Sequence, residues 1–60
     1  MLVIVVRDDA VNIRHNVNTN EVNVKDDQSI DSFVYIQFGF RPEEVDEVIF
    51  IQNDVVIKRY

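Results

Sequence analysis

The chain offers few side chains able to make or break covalent bonds. Ser29, Ser32 and Thr19 are its aliphatic hydroxyls, His15 is its one imidazole, and it has no cysteine. Nucleophilic catalysis needs a nucleophile beside a base that a third group orients, and His15 would have to reach a hydroxyl from a strand in the first half of the chain. A lone histidine alternating with Val11, Ile13 and Val17 reads instead as a half-buried strand residue. The pairs Asp8-Asp9, Asp26-Asp27 and Glu43-Glu44 are no better placed, because neighbours on a strand point to opposite faces and cannot act together as acid and base. They suit turns and helix caps. None matches a calcium loop, which needs alternating oxygen ligands around a glycine, and the single glycine, Gly39, excludes a phosphate-cradling loop. A thiolate zinc site is excluded with the cysteines. The sequence therefore predicts no enzyme, no metal and no cofactor.

Binding is the chemistry that remains. The central stretch combines Phe33, Tyr35, Phe38 and Phe40 with acidic residues on either side, and aromatic anchors ringed by charge are a feature of interaction hot spots. Phe38 reads as core. Tyr35 falls on the polar side of a predicted helix and Phe33 near its exposed N-terminal end, so these two are the candidate contacts. The acidity is concentrated: from Asp26 to Glu47 seven acids face one base, Arg41, for a charge of -6, against +1 for the rest, within a total of -5. Such a field repels phosphate and attracts a basic protein surface. The predicted partner is thus a protein with a basic surface and not nucleic acid, and Asp31, Glu43, Glu44, Asp46 and Glu47 join Phe33 and Tyr35 as partner-binding candidates. The competing reading is an acidic stretch that serves only solubility.

These side chains must be positioned by one domain, since 60 residues make no more. A domain this short is marginally stable, and without disulfides or a metal site the remaining support is oligomerisation. Apolar residues make up 47% of the chain, more than one thin core can hide. A homodimer is expected. Leu2 to Val6 is too short for a signal-peptide core or a membrane span, which points to a cytoplasmic protein with no membrane partner.

The same run is a β-branched stretch suited to a strand buried on both faces. Ala10 to Val17 alternates as a half-exposed second strand, Asn18-Thr19-Asn20 is turn chemistry, and Val22 and Val24 suggest a short third strand or a continuation of the second. Ser29 to Phe40 reads as a helix with Ile30, Phe33, Val34 and Phe38 on one face. Asp27 or Ser29 would cap it and Gly39 would end it. The string Phe-Val-Tyr-Ile-Gln-Phe favours a strand by propensity, but a sheet needs a cover and no other segment can supply one. Pro42 followed by Glu43 and Glu44 predicts one tight helical turn. Glu47 to Gln52 and Val55 to Arg59 form a hairpin about Asn53-Asp54, with Ile51 facing Val56 and Phe50 facing Ile57. The predicted fold is α+β, an antiparallel sheet of four or five strands with one helix packed on a face.

Between Ser29 and Ile57 the chain has a short helix opening Ser-Ile-Asp-Ser-Phe, an acidic connection, Asp46-Glu47-Val48-Ile49 and a final β-rich run near Asp54-Val55-Val56-Ile57. In this stretch it resembles the small inhibitors of uracil-DNA glycosylase encoded by Bacillus phages. The front half is similar in architecture alone. The resemblance implies a dimer that mimics the charge of DNA and captures the apolar loop that the glycosylase pushes into the duplex, with Phe33 matching the helix aromatic used at that contact. The family has an acidic residue directly after that aromatic. This chain has Val34 there, so that polar contact is not carried over. Two other readings stay open: a protein-binding module directed at a host defence system or polymerase, and an accessory structural dimer.

Overall fold

The apolar run near the start of the sequence forms β1 (Leu2–Arg7), the strand on which the rest of the sheet is built. In this computed structural model residues 1–8 and 11–60 are described. Asp9 and Ala10, and with them the start of the predicted second strand, lie outside the described residues. The elements that follow are β2 (Asn12–Asn16), α1 (Asp27–Phe38), a 3₁₀ turn (Pro42–Glu44), β3 (Val45–Gln52) and β4 (Val55–Arg59). Among the described residues the four strands make one antiparallel sheet in the order β2-β1-β3-β4, and α1 lies on one of its faces, giving a small α+β fold.

Side chains alternate across a strand, so β1 and β3 each send every second residue beneath the helix. Val3 and Val5 from β1, Val48 and Phe50 from β3, and Ile30, Phe33 and Val34 from α1 form the core, closed at one end by Val17 and Val22. Complete burial of a side chain such as Ile30 or Phe50 contributes about 1.5 to 3 kcal/mol relative to exposure. The other face of β1 is only half-buried, with Leu2, Ile4 and Val6 turned away from α1. The expectation of a strand buried on both faces is therefore corrected: one helix covers one face.

The helix stands where the apolar spacing placed it, shifted towards the N-terminus. Asp26, and not Asp27 or Ser29, is the N-cap, its carboxylate accepting from the Gln28 N–H at 3.0 Å. That bond satisfies one of the amides the first turn leaves open. Gly39 ends the helix in the left-handed region at φ 77° and donates its N–H to the Tyr35 carbonyl at 2.8 Å.

No third strand runs through Val22 and Val24. Polar side chains compete for the backbone there: Asn23 accepts from the Lys25 N–H at 3.1 Å, and Glu21 accepts from the Asn18 N–H at 3.0 Å. Val22 is nonetheless buried, so its apolar character serves the core from a loop.

The hairpin turns at Asn53 and Asp54, both at positive φ (53° and 63°), the geometry of a two-residue type I′ turn. Ile51 pairs with Val56 as expected. Phe50 pairs with Lys58 and not with Ile57, because the register shifts and leaves Ile57 as an extra residue. A second shift lies between β1 and β3, where Val6 pairs with Glu47 and Arg7 with Val45, leaving Asp46 as the extra residue.

Candidate functional site

Those two irregularities build the site. A bulge re-aims the side chains around it. Arg7 follows Val3 and Val5 in alternation, so its partner Val45 lies on the helix side of the sheet, and the intervening Asp46 also reaches that side. At the other end, the extra residue Ile57 brings Tyr60 opposite Val48, where the two exchange backbone hydrogen bonds of 2.8 and 3.0 Å. Tyr60 thereby lies on the helix side as well.

Between α1, the 3₁₀ turn and β3 is a cavity of about 130 Å³. Its apolar wall comes from Val34, Val45 and Val48, continued by Phe40 and Pro42. Asp31 from the helix, Asp46 from the bulge and the ring of Tyr60 supply its polar part. Among the described residues no basic side chain lines it. The Tyr60 phenol faces the Asp31 carboxylate across the cavity, and hydrogen bonding towards that carboxylate favours the protonated phenol and raises its pKa. Burial and the negative charges of Asp31 and Asp27 push the same way. Asp27, Asp31 and Tyr35 are spaced four apart, so they share one flank of α1.

The predicted contact residues are divided by this geometry. Asp31 and Asp46 come together at the cavity, and Tyr35 is 57% exposed one turn along from Asp31. Phe33 is 7% exposed and belongs to the core, its ring edge-on to Phe38 at 6.2 Å. The expectation that it stands free near an exposed helix end is corrected, because its place in the helical repeat, three after Ile30, turns it onto the sheet. Glu43 and Glu44 serve the 3₁₀ turn. Glu44 accepts from the Arg41 N–H at 2.8 Å, and Glu43 pairs with the Arg41 side chain at 3.4 Å. Glu47, adjacent to Asp46 in sequence, pairs with Val6 and so faces away from the helix, bound to Arg59 at 3.0 Å.

Phe38 and Phe40 stack with centroids 6.0 Å apart, and the Arg7 guanidinium sits over Phe40 at 4.7 Å. His15 meets Phe38 edge-on at 5.7 Å, and its Nε2 is 3.2 Å from the Gln37 amide nitrogen. The Ser29 hydroxyl accepts from the Asn23 N–H at 3.0 Å. These groups thus have contacts that hold the fold. No group of three or more potential metal ligands occurs among the described residues, and no helix there is long and apolar enough to cross a membrane.

Sequence reasoning passed over Tyr60 and Ile36. The first is placed by a bulge that has no sequence signature. The second, 81% exposed on the outer side of α1, could have been found from its position opposite Ile30 and Val34 in the helical repeat. No family model, characterised protein or solved structure matches the chain.

Proposed function

We propose that this chain is a non-catalytic inhibitor that binds a basic, DNA-binding surface of another protein by presenting the charge pattern of DNA, with uracil-DNA glycosylase the partner that the resemblance names. The observation that carries this reading is the convergence of Asp27, Asp31 and Asp46 around Tyr60, beside the exposed ring of Tyr35. Three acids from two elements give a local negative field, and a phenol ring adds an anchor of the kind that dominates interface energies. A phage-encoded inhibitor acting in the host cytoplasm, and assembling as a homodimer, belongs to the same proposal.

Burial of Phe33 favours a second reading. The aromatic that matches the glycosylase-binding residue of the family is in the core, so a different basic protein, such as a defence factor or a polymerase, is the partner if the glycosylase does not bind.

Association kinetics test the proposal. Exposed charges act mainly through long-range attraction, so replacing Asp31, Glu43, Glu44 and Asp46 by amides should slow association with glycosylase at least about tenfold at low salt and flatten its salt dependence. Unchanged association would reduce the acids to a solubilising role. Absence of glycosylase binding, with capture of another DNA-acting protein from a bacterial lysate by the parent chain but not the amide variant, would select the second reading.

A further inference from the structure

We propose that the cavity beneath Tyr60 is the receptor for one arginine side chain presented by a protein partner. This deepens the reading of the acidic face and rests on it. At about 130 Å³ the cavity is well below the roughly 300 to 1,000 Å³ of pockets that take cofactors or drug-sized ligands, and it suits a single side chain.

Its chemistry selects among side chains. Val34, Val45 and Val48 offer an apolar wall for a methylene stem, while Asp31 and Asp46 bring two carboxylates from different elements to the same space. A leucine would fill the volume but strip water from those carboxylates and give them no donor, which is costly. A lysine carries the right charge as one compact, strongly hydrated point. A guanidinium presents five N–H donors in a rigid plane and can bond two carboxylates at once. The Tyr60 phenol lines the same cavity as Asp31, but a carboxylate has about four acceptor positions, so the tyrosine leaves room for a second donor. The Tyr60 ring, partly exposed at the cavity, also offers a surface on which a guanidinium can stack. The fold makes one such contact itself, with Arg7 over Phe40.

The geometry of the two register shifts gives the cavity this form. A hairpin and a strand pair without extra residues would turn Tyr60 and Val45 to the opposite face, leaving neither the ring nor the full apolar wall.

The experiment is a titration of the whole ¹⁵N-labelled chain with N-acetyl-arginine methylamide, followed by amide chemical shifts, with the lysine and leucine analogues in parallel. The expected result is saturable movement confined to Asp31, Val34, Asp46, Val48 and Tyr60, with a Kd on the order of 1 mM for the arginine compound. The lysine analogue should bind several-fold more weakly and the leucine analogue not measurably. Asp31→Asn with Asp46→Asn should weaken arginine binding more than tenfold, with a thermal melt confirming that the variant is folded. No movement at the cavity, or equal movement with leucine, would overturn the proposal. The two readings fail separately. If a basic partner binds with the predicted salt dependence while the arginine compound leaves the cavity untouched, only this inference is lost; if the compound binds and no basic DNA-binding protein does, the inhibitor reading falls and the arginine receptor stands.

Discussion

Tyr60 stands opposite Val48, joined to it by Tyr60 N–H to the Val48 carbonyl at 2.8 Å and Val48 N–H to the Tyr60 carbonyl at 3.0 Å. Continuing the Ile51–Val56 register without interruption would place Arg59 opposite Val48 and carry Tyr60 to the face that α1 leaves open. The extra residue Ile57 reverses that choice. It also sets Arg59 opposite Ile49, on the same face as Glu47, and so permits their ion pair at 3.0 Å. One unpaired residue therefore decides both what faces the cavity and what neutralises the far side of β3.

The interaction of the Tyr60 phenol with Asp31 can be read by titration. In a Tyr35→Phe background one phenol remains, and its absorbance change should have a midpoint above the ordinary value of about 10. Adding Asp31→Asn should lower that midpoint, because the hydrogen bond to a charged acceptor is its largest cause. A group whose pKa is higher in the folded state stabilises the fold below its unfolded value. The contribution is thus complete below about pH 10 and is lost as pH rises through the folded value. A midpoint insensitive to Asp31→Asn would show that the interaction is absent in solution.

Phe33 and Tyr35 should respond to truncation in opposite ways. Phe33→Ala removes a buried ring and should cost about 3 to 5 kcal/mol, against a total stability of roughly 3 to 9 kcal/mol for a chain of this length. Most of the protein should then be unfolded in a thermal melt. Tyr35→Ala should change stability by no more than about 0.5 kcal/mol yet weaken partner binding by about 2 kcal/mol, roughly thirtyfold. A Phe33→Ala variant that melts normally and fails to bind would return Phe33 to the interface.

Local rules and the spacing of apolar residues made much of the fold legible. Ile30, Phe33 and Val34 mark the covered side of α1, Gly39 its end, and Asn53-Asp54 the hairpin, because each depends on neighbours within a few residues. The site was legible only in part. Asp31 and Tyr35 follow from the helical repeat. Asp46 and Glu47 look alike in sequence but the pleat sends them to opposite faces, and Tyr60 depends on the bulge at Ile57. Bulges arise from the fit of two strands to a twisted sheet, a long-range property that residue types did not announce. The third strand failed for a related reason: alternating valines satisfy a core from a loop as well as from a ladder.

The turn at Asn53-Asp54 holds two non-glycine residues at positive φ, and the second is the simpler to relieve. A left-handed conformation costs an L-residue about 1 to 2 kcal/mol, whereas glycine loses roughly 0.5 to 1 kcal/mol in backbone entropy. Asp54→Gly also creates the Asn-Gly pair favoured in type I′ turns. Stability should rise by up to about 1 kcal/mol, seen as a higher denaturant midpoint at unchanged slope. A lower midpoint would show that the Asp54 side chain itself holds the turn.

Self-association is the last expectation the fold makes specific. The accessible surface of 4064 Å² matches the roughly 4,100 Å² that size scaling gives for a monomer of this mass, so compactness alone does not demand a dimer. The expectation rests on the face of the sheet opposite α1. Leu2, Ile4 and Val6 of β1 lie beside Ile49 and Ile51 of β3, with Val56 of β4 continuing the row, and no element of the described chain covers them. A stable interface takes about 800 Å² from each partner, close to a fifth of this surface, which one sheet face with its flanking side chains can supply. A second copy packed face to face would give a two-sheet core of the kind found in β-sandwiches. Sedimentation at micromolar concentration should show a dimer, and melting should occur at higher temperature as concentration rises. Ile49→Glu should separate the copies by placing a charge on each buried face, while in the monomer the new carboxylate lies opposite Arg59 and is accommodated. If the parent chain sediments as a monomer and melts at a temperature independent of concentration, the open face does not pair with itself.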